Sequence, residues 1–567
     1  MAHINRRRRS IARSSYPTYP TYLTYLTYLI FLLSPVSAQE PNSPALISGR
    51  VVAAETGQPL RGATVQLAGG SSQTPPVFTD LDGRFVLPER RIGRYALQVS
   101  KPGYVPSVFG RLADSIDYFE VLAGQRIDRG TIRLQVATVI SGRVQDQIGE
   151  PVADASVTAW RIEYPQPGVR MWRQLKDTST NDLGEFRLHG LVPGRYHVVA
   201  SRSALPPESF ARTPDSPAFV AATMGQSAGL PNLSEPIAVD TIRGGETSGT
   251  AITLAHTRFA RVSGSVIDST GRPVSDTSVT LSPAHSDGLP GRRGAQVYLR
   301  TGAFTFSSVP VGEYRLTTAA RLMTKAGLLA ESASLAISLN EDLNGLILKT
   351  ETEAPQTRVG AIGHVFLDGA PAPTTRIQEM LWSRDENFIA SESPDVLSFP
   401  GGASTTRADG LFGIDGGEGW VVLRYAGSPV FALKSVTAGG VDVTDGFDMK
   451  RAASPFEVHL TSRVSTISGV VKDADGGAAA ACDVVVFADD PASWKLPFSR
   501  RVVLVRADEK GEFQVTGLPA GQYLAAAPAD LDRAMWADPN RLERWRAIAT
   551  AVSIADGEKK TIALKRK

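Results

Sequence analysis

Short runs of alternating apolar and polar residues, separated by turn residues, recur along this chain. The clearest copy lies in residues 139–200, where Ile140, Gly142 and Val144 alternate with polar residues, as in a strand with one buried face. A turn rich in Asp, Gly and Pro follows at residues 146–151, and further alternating runs and turns continue to residue 200. Turn signals about every ten residues between short alternating runs are typical of a sandwich or barrel, so the sequence predicts an all-β fold.

The pattern starts at five places, so we expect tandem Greek-key β-sandwich modules. Its first strand reads as residues 47–51, 140–144, 262–266, 359–365 and 467–471. The fourth copy is degenerate, because Gly419-Trp420 stands where the others carry Gly-x-Tyr. A chain of 567 residues is compatible with about four or five domains. The predicted modules span residues 39–137, 138–257, 258–352, 353–461 and 462–567. Helical spacing of Leu542, Trp545 and Ile548 predicts one short helix near the C-terminus.

Residues 1–38 have the order of a secretory signal. Four consecutive arginines, Arg6 to Arg9, precede an apolar stretch, and Val36-Ser37-Ala38 places small residues for cleavage before Gln39. The alternative is an uncleaved membrane anchor, since the uncharged run is long enough, although Tyr, Thr and Pro interrupt it. No second apolar span of membrane length follows, so we expect no transmembrane span after signal removal. The predicted location is secreted, periplasmic or on the cell surface.

Charge and cysteine content narrow the remaining classes. The net charge is +3 and Lys and Arg are spread along the chain apart from the N-terminus, so nothing favours a nucleic-acid partner. Cys482 is the single cysteine, which excludes an intrachain disulfide and requires that packed cores supply the stability. Because Cys482 lies in an apolar run, we expect its side chain to be buried.

Four recurrent motifs resemble the carboxypeptidase regulatory-like domain. They are Ser141-Gly142-Arg143-Val144, the Gly-x-Pro-Val-x-x-Ala-x-Val run of residues 149–157, the Asp-x-x-Gly-x-Phe run of residues 80–85, and the Leu-x-Pro-Gly-x-Tyr run of residues 191–196. The resemblance implies a seven-stranded, transthyretin-like sandwich, also grouped with starch-binding-domain-like folds, and it covers nearly all of residues 47–564. The arrangement is similar to secreted multi-module proteins of acidobacteria. Such modules are accessories on many proteins, so the resemblance specifies fold better than function.

The sequence offers no catalytic constellation, and we expect neither an enzyme nor a cofactor. The seven His residues include no zinc-binding pair with a nearby Glu of the kind that metallocarboxypeptidases need. His189 and His197 flank one turn and could meet across a hairpin, but two His side chains on a sheet surface are far commoner than a metal site. The acidic turns with Asp80, Asp82, Asp182 and Asp409 resemble calcium loops superficially, and turn capping is the simpler interpretation.

A sugar-binding sandwich usually presents aromatic rings, and four residues are candidates for that role: Tyr164, Trp172, Trp382 and Trp494. The alternative is that they pack beneath their loops as small cores. The leading hypothesis is therefore a non-catalytic exported protein that binds a polysaccharide or another extracellular partner, such as a cell-surface protein. The second hypothesis is a structural or adhesive scaffold without a small-molecule ligand. Exposed rings lining one groove would favour the first, and smooth polar faces would favour the second.

Overall fold

The computed structural model describes most of the chain beyond the predicted signal segment, which lies outside it. The described residues are 45–68, 75–89, 93–109, 119–202, 226–227, 230–275, 277–284, 295–324, 327–352, 361–372, 375–382, 388–389, 403–407, 409–414, 420–448, 455–479, 482–529 and 531–567. Within them the chain forms two compact units. The first contains the described parts of residues 1–51, 59–97 and 118–132, and the second those of residues 52–58, 98–117 and 133–567.

Strands dominate both units. With the module bounds predicted from the sequence, module 1 contains β1 (Ala45–Ala53), β2 (Thr64–Ala68), β3 (Val77–Phe78), β4 (Arg84–Glu89), β5 (Gly93–Ser100), β6 (Ser107–Phe109), β7 (Phe119–Val121) and β8 (Arg126–Leu134). Module 2 contains β9 (Thr138–Gln145), β10 (Ser156–Gln166), β11 (Val169–Ser179), β12 (Glu185–Leu191), β13 (Arg195–Arg202), β14 (Gln226–Ser227), β15 (Asn232–Leu233), β16 (Ile237–Asp240) and β17 (Glu246–Thr253). Module 3 contains β18 (Phe259–Ile267), β19 (Thr277–Pro283), β20 (Ala295–Leu299), β21 (Ala303–Pro310), β22 (Gly312–Thr324), β23 (Gly327–Leu339), β24 (Leu343–Lys349) and β25 (Glu351–Thr352).

The remaining two modules continue the same way. Module 4 contains β26 (Ala361–Leu367), β27 (Ala370–Pro371), β28 (Arg376–Trp382), β29 (Phe388–Ile389), β30 (Ala403–Thr405), β31 (Leu411–Ile414), β32 (Trp420–Tyr425), β33 (Ala432–Ala438), β34 (Val441–Asp442), β35 (Phe447–Asp448) and β36 (Phe456–Thr461). Module 5 contains β37 (Thr466–Lys472), β38 (Asp483–Ala488), a 3-10 helix (Pro491–Trp494), β39 (Val502–Arg506), β40 (Glu512–Thr516), β41 (Gly521–Ala526), α1 (Pro539–Arg546), β42 (Thr550–Ile554) and β43 (Lys559–Lys565).

Modules 1, 2 and 5 each contain a three-stranded sheet and a larger sheet, whereas module 3 has sheets of four and five strands and module 4 has sheets of six and four strands. In module 2 the orders are β12-β9-β17 and β15-β13-β10-β11-β29, with β16 also paired to β13, and in module 5 they are β40-β37-β43 and β39-β38-β41-β42. The first strand always lies in the middle, and in modules 2 to 5 its last partner runs parallel to it. The prediction of an all-β chain of tandem Greek-key β-sandwich modules is confirmed. The buried apolar residues fill the space between the two sheets, with a separate core for each of modules 2 to 5.

One contact explains two of the recurrent motifs. The glycine of the first strand pairs in register with the phenylalanine of the Gly-x-Phe strand in every module. A Cβ on that glycine would press into the phenylalanine ring, so the ring occupies the space that the missing side chain leaves. The pairs are Gly49 with Phe85, Gly142 with Phe186, Gly264 with Phe304, Gly363 with Phe412, and Gly469 with Phe513. The fourth module keeps this contact although its sequence is degenerate.

The Gly-x-Tyr motif forms a tyrosine corner in three modules. The hydroxyl groups of Tyr196, Tyr314 and Tyr523 each donate to the backbone oxygen four residues earlier, at 2.5, 2.8 and 2.8 Å. Burial raises the pKa of Tyr196 to about 12, so the phenol stays protonated and keeps donating at physiological pH. This bond ties the strand that begins at Arg195 to the turn before it.

The predicted C-terminal helix is α1, which ends at Arg546, before Ile548, the last of the three residues whose spacing suggested it. Asp538 caps α1 by accepting from the backbone N of Asn540 at 3.0 Å, and Pro539 occupies the first turn. The side chains of Leu542 and Trp545 are buried in an apolar cluster within module 5, as their helical spacing predicts. Cys482 is buried, as expected. Among the described residues, none of the helices has the length and apolar character to cross a membrane.

Candidate functional site

The long hairpin of β10 and β11 extends from module 2 to residues of modules 4 and 5. At its tip the backbone oxygen of Pro167 accepts from the backbone N of Phe498 at 2.8 Å. Val169, Val422 of module 4 and Phe498 of module 5 form one small buried cluster. A Cβ on Gly168, whose φ is +66°, would lie 2.6 Å from the backbone N of Pro497 and would overlap the carbonyl of Leu496. The tip therefore fits closely against residues that lie more than three hundred positions further along the chain.

The flank of the hairpin binds the segment that precedes α1. The backbone N of Tyr164 donates to the oxygen of Ala534 at 2.8 Å, and the indole N of Trp536 donates to the oxygen of Pro165 at 2.9 Å. Trp536 is 5% exposed and belongs to a second apolar cluster of module 5. The bond from Trp536 is buried, so it holds the hairpin more firmly than an exposed bond would.

A buried ionic network reinforces this contact. Arg161 donates to Glu163 at 3.0 Å and to Asp532 of module 5 at 2.9 Å, and Arg173 reaches the other oxygen of Glu163 at 3.2 Å. Burial alone lowers the pKa of Arg161, but the carboxylates of Asp532 and Glu163 more than offset it and raise the pKa overall. The guanidinium is therefore charged at every physiological pH, and removing Asp532 would leave one of its nitrogens without a partner.

Two arginines join modules 4 and 5 directly. Arg424 donates to the backbone oxygen of Phe498 through Nε and Nη2, at 3.2 and 2.6 Å. Arg500 donates to the backbone oxygen of Leu433 at 2.7 Å. Burial, and then the neighbouring Arg500, lower the pKa of Arg424 to about 10, which leaves it charged at neutral pH. The loop that carries Phe498 is thus held from module 4 on one side and by the hairpin tip on the other.

The four aromatic candidates do not line one common surface. Trp172 is 6% exposed and packs with Trp160 and Val199, and its ring meets His197 edge-on with 4.8 Å between centroids. Trp494 is 2% exposed, and its indole N donates to the backbone oxygen of Ala488 at 2.7 Å. For these two rings the structure matches the alternative in which they pack as small cores.

The other two candidates are Tyr164 and Trp382. Tyr164 is half-buried against the cluster that contains Trp494 and Trp536. Burial, and then the carboxylate of Asp538, raise its pKa, and Arg170 opposes the shift. Trp382 ends β28 opposite Trp420 of β32, and its side chain lies outside what the structure describes. None of the three rings whose side chains are described is an open platform.

The polar candidates behave as turn and surface residues. His189 and His197 lie on strands of different sheets, because the chain crosses from one sheet to the other at the turn between them. Burial lowers the pKa of His197, which favours the neutral ring beside Trp172. No group of three or more His, Cys, Asp or Glu side chains suited to a metal ion occurs in the described part of the chain.

The acidic turns show capping by a side-chain oxygen. Asp80 accepts from the backbone N of Asp82 and of Arg84 at 2.9 and 2.8 Å, and Asp409 accepts from that of Leu411 at 3.1 Å. In module 2 the capping residue is Asn181 rather than Asp182. This is the turn chemistry that the sequence favoured over calcium binding.

A groove of about 910 Å³ lies beside the hairpin. Its walls come from residues 100–106, from β10, β11 and β12 of module 2, and from Arg533 and Ala534 of module 5. Arg161, Glu163 and Arg173 of the ionic network line it. All of these residues belong to the second compact unit. This groove could not be predicted from the sequence, because its residues come from three modules and carry no common motif.

Residues 46–134 and 139–224 match the family described as the carboxypeptidase regulatory-like domain. These two segments lie in modules 1 and 2, and for them the resemblance inferred from the motifs is confirmed. No curated protein matches the chain.

Solved structures with similarity to the chain include multi-domain pilins. A streptococcal ancillary pilin is 11% identical over 55% of this chain and 100% of its own, with a TM-score of 0.20. The major pilin subunit BcpA of Bacillus cereus is 12% identical over the same shares, with a TM-score of 0.14. A putative carbohydrate binding protein from Pseudomonas aeruginosa is 13% identical over 16% of this chain and 89% of its own, also with a TM-score of 0.14. Similarity at this level supports no inference about function.

Proposed function

We propose that this chain is a non-catalytic, exported scaffold in which the hairpin of module 2 holds modules 2, 4 and 5 in a fixed arrangement. The observation that carries the proposal is the seating of that hairpin against modules 4 and 5. Modules that folded and acted independently would need no such contact between residues 371 positions apart, such as Arg161 and Asp532. Export is inferred from the signal-like residues 1–38, and the modules are taken to span residues 39–137, 138–257, 258–352, 353–461 and 462–567.

The scaffold is favoured over a sugar platform built from the four aromatic candidates. Trp172 and Trp494 are nearly inaccessible, and a stacking platform needs an exposed ring face. Their burial instead stabilises the hairpin and the module that receives it.

The scaffold is tested by measuring the distance between modules 2 and 5. Spin labels at Asp182→Cys and Lys510→Cys, both on exposed turns, are introduced in a Cys482→Ser background. We expect one narrow distance distribution for the full chain, as narrow as that of a control pair within module 5 (Asp475→Cys and Lys510→Cys). A broad distribution between the modules would contradict the locked arrangement.

A substitution at the hairpin tip should release the hairpin from modules 4 and 5. Gly168→Val places side-chain atoms where the backbone of Leu496 and Pro497 lies, so we expect the hairpin to detach and the distance distribution to broaden. The matched control is Gly149→Val, because Gly149 also has a positive φ, +88°, but no atom lies within 4 Å of its Cβ position. Equal effects of the two substitutions would show that backbone strain, rather than the lost contact, is responsible.

A further inference from the structure

The groove beside the hairpin is strongly cationic. Six basic side chains line it, and Glu163 is the one acidic side chain among the described lining residues. The basic residues are Lys101, Arg161, Arg173, Lys176, Arg187 and Arg533. His189 adds a group that becomes positive when protonated. This concentration contrasts with the net charge of +3 for the whole chain, so the groove is a local feature.

Some of these charges are already balanced. Glu163 and Asp532 hold Arg161, Asp483 binds Arg533 through two nitrogens, and Glu246 pairs with the exposed Arg187 at 3.2 Å. Glu163 also forms an ion pair with Arg173. These four carboxylates pair with four arginines of the groove, so six basic side chains face four carboxylates.

Two features leave capacity for a ligand. The Nε atom of Arg161 is buried, in a side chain that is only 8% exposed, and it has no hydrogen-bond partner among the described residues. Lys176 is exposed on the rim, and within the described residues it forms no ion pair. A buried donor without a partner is unfavourable, and an anionic or hydroxyl oxygen that enters the groove would supply one.

The apolar part of the wall includes two prolines and a tyrosine. Pro102, Tyr104 and Pro106 lie along residues 100–106, with the two prolines exposed and the tyrosine half-buried. Grooves that bind extended peptides use pockets for alternate side chains, whereas flat proline and tyrosine faces suit the apolar face of a sugar ring. The volume of about 910 Å³ lies within the usual range for ligand clefts, about 300–1,000 Å³.

We propose that this groove binds an anionic polysaccharide, with its carboxylate or sulfate groups on the basic side chains and its sugar rings against residues 102–106. The proposal goes beyond the scaffold, because it assigns a ligand class to a surface that the locked modules create. It also differs from stacking on the four aromatic candidates, none of which lines the groove.

The test uses the full chain and titrates it with polygalacturonate, heparin, neutral dextran and poly-glutamate. The variant is Lys101→Glu with Lys176→Glu, which reverses two rim charges. The control is Lys510→Glu, an exposed lysine in a turn of module 5 that does not line the groove. We expect saturable binding of polygalacturonate or heparin, weakened about tenfold or more by the double substitution and unchanged by the control.

Which of the two polymers binds tells carboxylate from sulfate recognition, and either supports the proposal. Equal binding of dextran would overturn it by removing the role of charge. Tighter binding of poly-glutamate would overturn it in favour of an acidic peptide. Absence of binding, or a double variant that binds like the original chain, would overturn it as well. None of these results changes the expected distance between modules 2 and 5, so the two proposals fail separately.

Discussion

Gly142→Ala is expected to destabilise module 2 by at least about 3 kcal/mol. The added Cβ would overlap the backbone oxygen of Thr250 in β17 and would lie 2.9 Å from the ring of Phe186. Because one of these neighbours is backbone in a paired strand, it cannot move aside without breaking the β9–β17 ladder. Hydrogen exchange of the amides in β9, β12 and β17 measures the loss directly.

Gly194→Ala is the matched control for this substitution. Gly194 lies in the same module and nothing occupies the space around its Cβ position. We expect its effect to stay within about 1 kcal/mol, as is usual for substitutions away from packed features. If the Gly142→Ala and Gly194→Ala variants were equally stable, close packing against the phenylalanine would not explain why glycine recurs in the first strand.

Trp494→Ala is expected to lower the free energy of unfolding of module 5 by about 3–5 kcal/mol. The ring is 2% exposed, meets Phe487 edge-on with 5.6 Å between centroids, and lies under the guanidinium of Arg546 at 5.4 Å. The substitution removes these contacts and leaves the backbone oxygen of Ala488 without its donor. The measurement is the midpoint of the denaturant transition assigned to module 5.

Two further variants separate packing from ligand binding at this position. Trp494→Phe keeps most of the apolar contact and should lose less stability than the alanine variant. Lys495→Ala, at an exposed neighbour, should change little. A Trp494→Ala chain with unchanged stability but lost affinity for a neutral glycan would show that the ring is a binding platform after all.

The fold could be predicted from the sequence because each module repeats the same short motifs. Alternation sets the strands, and the Gly-x-Phe and Gly-x-Tyr motifs set the register and the corner. The contact of Gly363 with Phe412 shows why module 4 was recognisable in spite of Trp420 at the tyrosine position.

The contact of the β10–β11 hairpin with modules 4 and 5 could not be predicted in the same way. Arg161 and Glu163 alternate with apolar residues and so read as the solvent face of a strand, yet they are 6% and 3% exposed. Their partner Asp532 lies in another module, and alternation alone does not distinguish a face covered by water from one covered by a distant segment. For the same reason the sequence did not separate Trp172 as a packed ring from Trp172 as a platform.

The central claim, that the hairpin of module 2 is seated against module 5, is tested most directly by the exchange of two amides. The backbone N–H groups of Tyr164 and Phe498 donate across the contact, to Ala534 and Pro167. We predict that both exchange slowly in the full chain, and that Gly168→Val accelerates both while amides in the core of β9 stay protected. Exchange of Tyr164 and Phe498 at the rate of unprotected amides in the unmodified chain would contradict the account.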